Sequence, residues 1–341
     1  MLRAVLGGLF LWAQAAGAQE LAPPQGPPLF ASNEPVALRL VADLEALKAD
    51  RASENPERAS RIQVEGAADA IAVDVRTRGN FRLRPSTCPF PPLRLDFPRS
   101  KVAGTLFEGQ DKLKLVTYCR DRDSTEQDIL EEYLAYRLFN ELSDWSFRVR
   151  LARVTYVDEL AREDPVTRFG FLIEDDEAMA QRLGGAIVET PLFDPRDYDA
   201  SAHLTASLFQ FMIGNTDWSI VEFHNAVLLK LSDGRHVPVF YDFDFSGLVD
   251  APYAEPNPTL GIKSVKDRLY RGFCTEDGVL RGVVDRFLAR EEATYRLVDE
   301  LVALSGRNRG RAKKYLGDFF DILRSEARRD RHIVRSCRSM S

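Results

Sequence analysis

The chain has 341 residues, of which 45% are hydrophobic and 29% charged, with a formal net charge of -6. That length is enough for one large domain or for two lobes with proper cores. Its basic residues are spread rather than clustered, which argues against nucleic acid as the main partner, because phosphate-backbone binding leaves a dense basic footprint.

The first residues carry a basic start (Arg3), a short apolar run from Ala4 to Ala13 and a small-x-small exit at Ala16-Gly17-Ala18. This pattern predicts a secretory signal peptide over 1–18, cut after Ala18, with a retained anchor as the alternative. Nothing later in the chain reaches the ~18 apolar residues that a spanning helix needs. The mature chain is therefore expected to be periplasmic or secreted, with no membrane span. Four cysteines (Cys88, Cys119, Cys274 and Cys337) suit an oxidising compartment, and no C-x-x-C spacing points to zinc. Three connectivities are open to them; order along the chain favours Cys88–Cys119 and Cys274–Cys337.

Residues 19–35, rich in Pro (Pro23, Pro24, Pro27 and Pro28), predict a disordered lead-in. A strand over 36–41 and a short helix over 42–51 come next, then a polar loop over 52–61. Strand-like runs follow at 62–65, 71–77, 93–97 and 112–118; the alternation in 71–77 and 112–116 is that of a half-buried antiparallel sheet. From Ser124 the period changes. Ser124 and Gln127 form a capping-box signature, and Leu130, Leu134, Leu138 and Leu142 mark one helical face. Two more strands are expected at 147–158 and 168–174.

The second half opens with a helix over 199–213, then a hairpin of 226–231 and 236–240 around Ser232-Asp233-Gly234-Arg235. Helices over 279–304, with a stop at Ser305-Gly306, and over 309–334 complete it. The expected plan is α+β and two-lobed. A β-rich antiparallel lobe with one long helix (36–176) precedes a mainly helical lobe (177–341), with a crevice between them.

The chemistry concentrates in 209–247. Asp217 follows a helix in a Gly-Asn-Thr-Asp turn, which suits either a catalytic acid or a plain helix stop. Asn225 stands just before a strand, and Asp242 and Asp244 end another, among Tyr241, Phe243 and Phe245. Two carboxylates among aromatics are costly to bury without positive charge; a divalent ion or a salt bridge would each supply it. Alternation on an extended chain would put both on one side. In the first half, Lys112 and Lys114 lie on a strand ahead of the helix bearing Glu131 and Glu132. A strand lysine paired to a helix carboxylate can reach phosphate oxygens, although two lysines on the wet face of a strand look the same. Arg78-Gly79-Asn80-Phe81-Arg82 suits a phosphate-holding loop or a hairpin turn. His224 has no accompanying Ser or Cys nucleophile motif and is expected to orient its loop.

Taken in order, Arg-Gly-Asn, the strand lysine, the Leu-Ala-Tyr helix, Gly-Asn-Thr-Asp, Asn and Asp-Phe-Asp resemble the spore-coat-protein-H-like (CotH) family, atypical relatives of protein kinases. The resemblance spans about 71 to 247. It implies a protein-kinase-like fold, with Asp217 as the catalytic-loop acid, Asn225 and Asp242 as ligands of Mg2+ (or Mn2+), and Asp244 assisting. It also implies Lys112 or Lys114 as the nucleotide lysine, Glu132 as its helix partner, and Arg78, Gly79 and Asn80 as the nucleotide loop. The implied reaction moves the γ-phosphoryl group of ATP to a hydroxyl of a protein in the cell envelope. Trp218 departs from the pattern, standing where a basic residue is common. Two other classes remain open: a catalytically silent envelope binding or assembly module, and a metal-dependent hydrolase, for which a ligand set such as H-E-x-x-H is missing.

Overall fold

The computed structural model describes residues 27–52, 54–190 and 194–339. The expected signal peptide and the first part of the expected lead-in lie outside the described residues. The remainder of the lead-in is laid against the protein. Leu29, in a single helical turn at Pro28–Phe30, is fully buried, and Arg150 donates to the carbonyls of Leu29 at 2.9 Å and Ser32 at 2.6 Å.

Seven strands form the first half: β1 (Val36–Ala42), β2 (Arg58–Val64), β3 (Ile71–Thr77), β4 (Leu93–Asp96), β5 (Lys112–Val116), β6 (Val149–Asp158) and β7 (Val166–Ile173). They close into a barrel in the order β1-β2-β3-β4-β5-β7-β6. This corrects the expected open, antiparallel lobe of a two-lobed, kinase-like plan. The overturning contact is β1 with β6, a parallel pairing from Val36 opposite Ala152 to Ala42 opposite Asp158. Because β1 also pairs antiparallel with β2, both of its edges are satisfied and the sheet has no free edge. Alternate residues point inward, as the strand period of two requires. Val36, Leu38, Leu40, Val73, Val75, Leu93, Leu95, Leu113 and Leu115 thus fill the barrel as one apolar cluster.

Outside the barrel, α1 (Leu44–Ala49) is capped by Asp43, whose side chain accepts from Ala46 N–H at 3.0 Å. The long helix α2 (Asp123–Leu142) lies between β5 and β6 in sequence and buries Leu130, Leu134 and Leu138. It does not use the expected capping box. Arg122 is the N-cap residue with no side-chain cap, and Gln127 reaches across to Ser305 N–H at 2.7 Å.

The second half is not purely helical. A three-stranded sheet, β8 (Gly185–Ile187), β9 (Ala226–Leu231) and β10 (His236–Phe240), is ordered β10-β9-β8. Its hairpin has the expected bounds, whereas β8, following α3 (Asp176–Arg182), is too short to carry a period. Next to this sheet packs α4 (Ala200–Ile213); α5 (Asp277–Ala289), α6 (Glu291–Glu300) and α7 (Gly306–Arg324) pack around α4 and α2, followed by α8 (Glu326–Arg329) and a π turn at Asp330–Val334. The single helix expected over 279–304 is broken at Arg290 into α5 and α6. Ser305-Gly306 is a start rather than a stop, since Ser305 Oγ accepts from Asn308 N–H at 3.2 Å and caps α7. The whole is mixed α/β, with a second apolar core joining α2, α4, α5, α6, α7 and the small sheet.

Both expected disulfides are formed, Cys88–Cys119 and Cys274–Cys337. They fit an extracellular or periplasmic location. Among the described residues no helix is long and apolar enough to cross a membrane. The second bond joins the segment before α5 to the C-terminal turn across 63 residues. Replacing Cys274 and Cys337 with Ser should lower the unfolding free energy by about 3–4 kcal/mol, read by urea titration.

His203, in α4, is 3% exposed and lies 3.2 Å from Ser207 Oγ. Burial, with a smaller push from Arg338, brings its imidazole down to about 4. A depressed folded-state value means that its contribution is present above the unfolded value near 6.5 and is lost as pH falls towards 4. Between pH 7 and pH 5 the unsubstituted chain should therefore lose about 2 kcal/mol more stability than His203→Gln. Urea titrations of both proteins at the two pH values check this.

Candidate functional site

Helix α4 ends where Gly214 adopts a left-handed φ of 66° and its N–H closes onto the carbonyls of Gln210 and Phe211. The position also admits no side chain, because an added Cβ would lie 1.9 Å from Tyr315 Oη. The chain then turns tightly. Asn215 Oδ1 accepts from Asp217 N–H at 3.0 Å, and the Trp218 indole donates to Asn215 O at 3.1 Å. Arg271 lies over the Trp218 ring at 5.5 Å, donates to Trp218 O at 2.8 Å and also holds Thr216 O. Buried Trp218 thus brings in a cation from a distant segment. Ser219 and His224 exchange backbone hydrogen bonds, each 2.9 Å, and close a small loop.

That loop returns Asn225 to Asp217. The Asn225 amide donates to Asp217 O at 2.8 Å and to Asp217 Oδ2 at 3.1 Å, while His224 Nε2 lies 2.8 Å from Asp217 Oδ1. His224, expected to orient its loop, contacts the acid itself. With the amide nitrogen so engaged, Asn225 Oδ1 has no partner among the described residues.

The end of β10 supplies Asp242, whose N–H donates to Tyr136 Oη on α2 at 2.9 Å. Its φ of 63° is left-handed, so the chain here is not extended and the alternation that would align Asp242 with Asp244 does not apply. The two carboxylates have different surroundings. Asp244 is 4% exposed, and its Oδ2 receives Arg82 Nε at 3.0 Å and Tyr253 Oη at 2.9 Å. Asp242 makes no ion pair among the described residues. Burial, and then the neighbouring Asp244 charge, pushes its carboxyl above the ordinary range against the pull of Arg82 and Arg78.

The expected lysine–glutamate pair is not formed. Glu132 on α2 holds Arg82 Nη2 at 2.6 Å instead. Lys114 pairs with Asp176 at the start of α3, at 2.5 Å, between the rings of Phe147 (5.1 Å) and Tyr241 (5.2 Å). Burial lowers its pKa, with Asp176 opposing. Lys112 lies opposite Asp96 on the neighbouring strand and does not line the cavity. Glu174 is buried against Arg182 at 2.7 Å, and Asp175 caps α3.

Arg78, Gly79, Asn80, Lys114, Glu132, Asp217, Asn225, Asp242 and Asp244 all line one cavity of about 410 Å³ between the barrel wall and the second half. Sequence reasoning missed the hub role of Arg82 and the parts played by Tyr136, Tyr253, Arg271 and Asp176. Arg82 stood in the singled-out Arg-Gly-Asn-Phe-Arg run, but its partners lie 50 and 162 residues away, beyond any local pattern.

Among the described residues no group of three or more His, Cys, Asp or Glu side chains is placed to hold a metal ion. Asn225 and Asp242 both line the cavity, and each carries a side-chain oxygen that no described residue engages. This suits a magnesium-sized ion, which takes one or two protein oxygens and completes its shell with phosphate and water. No family model matches the chain, and no curated protein matches it.

Gly214→Ala should cost roughly 1–3 kcal/mol of stability, because strain and the Tyr315 contact act together at the turn that aims Asp217. Thermal unfolding of the variant checks this, and an unchanged midpoint would contradict the close approach.

Proposed function

We propose that this protein is an exported phosphotransferase related to the CotH family, which moves the γ-phosphoryl group of ATP to a hydroxyl of an envelope protein in the periplasm or outside the cell. The observation that carries this reading is the convergence of Asp217, Asn225 and Asp242 on one cavity also lined by Arg78 and Lys114. Phosphoryl transfer demands little covalent chemistry of a protein; placement and charge do most of the work.

In this reading Asp242 and Asn225 Oδ1 hold the divalent ion, which supplies charge neutralisation at the phosphates. Arg78, half-buried on the cavity wall, faces the same anionic group from the barrel side. Lys114, Tyr241, Val116 and Ile173 also line the cavity, and the apolar surface among them gives a base somewhere to pack. Asp217, fixed by His224 and Asn225, orients the acceptor hydroxyl. The acceptor oxygen bonds to the γ-phosphorus as its bond to the β–γ bridging oxygen breaks. That electron pair leaves with ADP, and the hydroxyl proton passes to the Asp217 carboxylate and on to solvent. The charge balance favours the same ligand: burial holds the carboxyls of Glu132 and Asp242, which stand with Asp244 around the Arg82 guanidinium, above the ordinary range, a penalty that a bound cation would offset.

The test is calorimetry with ATP, with and without Mg2+, followed by transfer of labelled γ-phosphate to envelope proteins. Asp242→Asn should weaken Mg2+-dependent ATP binding by about tenfold or more. Asp217→Asn should keep binding and lose about 10²–10⁴-fold in transfer rate. A chain that binds no ATP at millimolar concentration would refute the reading in favour of a binding module. Phosphate release without transfer would point to a hydrolase.

A further inference from the structure

Arg82 follows the Arg78-Gly79-Asn80 turn, in a single helical turn at Phe81–Leu83. It is 8% exposed, yet it lines the cavity. Its Nε meets Asp244 and Tyr253 Oη, and its Nη2 meets Glu132 at 2.6 Å and Asp244 at 2.9 Å. Its third nitrogen, Nη1, has no partner among the described residues.

Three facts distinguish it from the strand lysines. The carboxylate on α2 that would hold a nucleotide lysine is spent on Arg82. Lys114 is spent on Asp176, and Lys112 is off the cavity. Arg82 is also clamped from two elements at once, α2 and the segment after β10, so its free edge is fixed in direction without any ligand. A guanidinium held on two sides and open on the third is pre-organised to donate to a phosphate oxygen, and it keeps its charge at every physiological pH.

We propose that Arg82, oriented by Glu132 and Asp244, is the phosphate-contacting cation of this site, in the place that a strand lysine would take. The inference rests on the nucleotide reading above. Glu132 and Asp244 are then positioning residues, and Tyr253 stiffens the clamp through Asp244 at 2.9 Å. The ligand class is a nucleoside polyphosphate, read through its phosphates rather than its base.

The experiment compares Mg2+-ATP and adenosine binding by calorimetry for the unsubstituted chain, Arg82→Lys and Lys114→Met. Arg82→Lys keeps the buried positive charge but gives up the fork. It should lose at least about tenfold in Mg2+-ATP affinity while adenosine affinity stays within about twofold. Lys114→Met, whose ammonium is already paired with Asp176, should lose the two ligands in equal proportion. If Arg82→Lys binds Mg2+-ATP as the unsubstituted chain does, or if Lys114→Met carries the phosphate-selective loss, the assignment is overturned. If the unsubstituted chain binds adenosine and Mg2+-ATP equally well, the assignment to Arg82 also fails while a nucleoside site survives. If it binds neither, the nucleotide reading itself fails and takes this one with it. Should Arg82→Lys not fold, co-crystals of the unsubstituted chain with Mg2+ and a non-hydrolysable ATP analogue decide. A phosphate oxygen within hydrogen-bond reach of Arg82 Nη1 supports the assignment, and a phosphate held by Lys114 without Arg82 overturns it.

Discussion

The ion pairs of Arg82 with Glu132 and Asp244 are the constraint on which the arrangement of the cavity depends. They bind the β3–β4 connection to α2, and both to the segment after β10, with side-chain exposures of 9%, 1% and 5%. Removing one member of such a group leaves an uncompensated buried charge, which costs about 3–5 kcal/mol. Asp242 is two residues from Asp244, and its N–H is anchored to Tyr136, one helical turn beyond Glu132 on α2. Asp242 and the Arg82 guanidinium are therefore set by the same helix.

That helix can serve as a reference because it stands between two cores. On one side the closed barrel gives β3, β5 and β7 a fixed relation, since a barrel has no edge along which a strand can slip. On the other side α4 ends at Gly214, close to Gly247; Gly247 N–H donates to Gly214 O at 3.2 Å, and Tyr315 Oη lies within 2.3 Å of where a Cβ on Gly247 would stand. The two turns carrying Asp217 and Asp242 are thus stitched together behind the site. Lys114 and Glu132 stand within packed elements, and Asp217, Asn225, Asp242 and Asp244 sit at the ends of packed elements or in short loops returning to one, which makes loop positions precise.

Much of this was legible locally. The alternation in 71–77, the hairpin of 226–231 with 236–240, the long helix after Ser124 and the pairing of the cysteines all follow from short-range patterns that the fold keeps. Asp217, Asn225 and Asp242 stood out as polar residues at the ends of apolar elements, and the fold brings them to one cavity. Closure of the barrel was not legible, because the β1–β6 pairing joins residues more than 100 apart and an alternating strand reads the same in an open sheet as in a closed one. Ser305-Gly306 was ambiguous in kind: a Gly after an apolar helix suggests a stop, whereas a Ser before one suggests an N-cap, and the Ser won through Asn308. Glu132 was expected to pair with a strand lysine and pairs with Arg82, since no periodicity distinguishes a lysine two strands on from an arginine in a turn.

The backbone itself carries a further argument. Phe223, Asn225 and Asp242 all take left-handed φ values, 51°, 52° and 63°, on the two segments that meet at the cavity. Each such residue costs of order 1 kcal/mol or more, and Phe223 has no short polar side chain to soften it. Strain of this kind persists where the surroundings over-determine it, and the surroundings here are specific: the Ser219–His224 exchange, the Asn225 amide on Asp217, and Tyr136 on the Asp242 N–H. A fold seeking stability alone would place glycine at these positions, as it does at Gly214. Asn225 and Asp242 are instead residues whose short polar side chains tolerate this conformation, and both line the cavity.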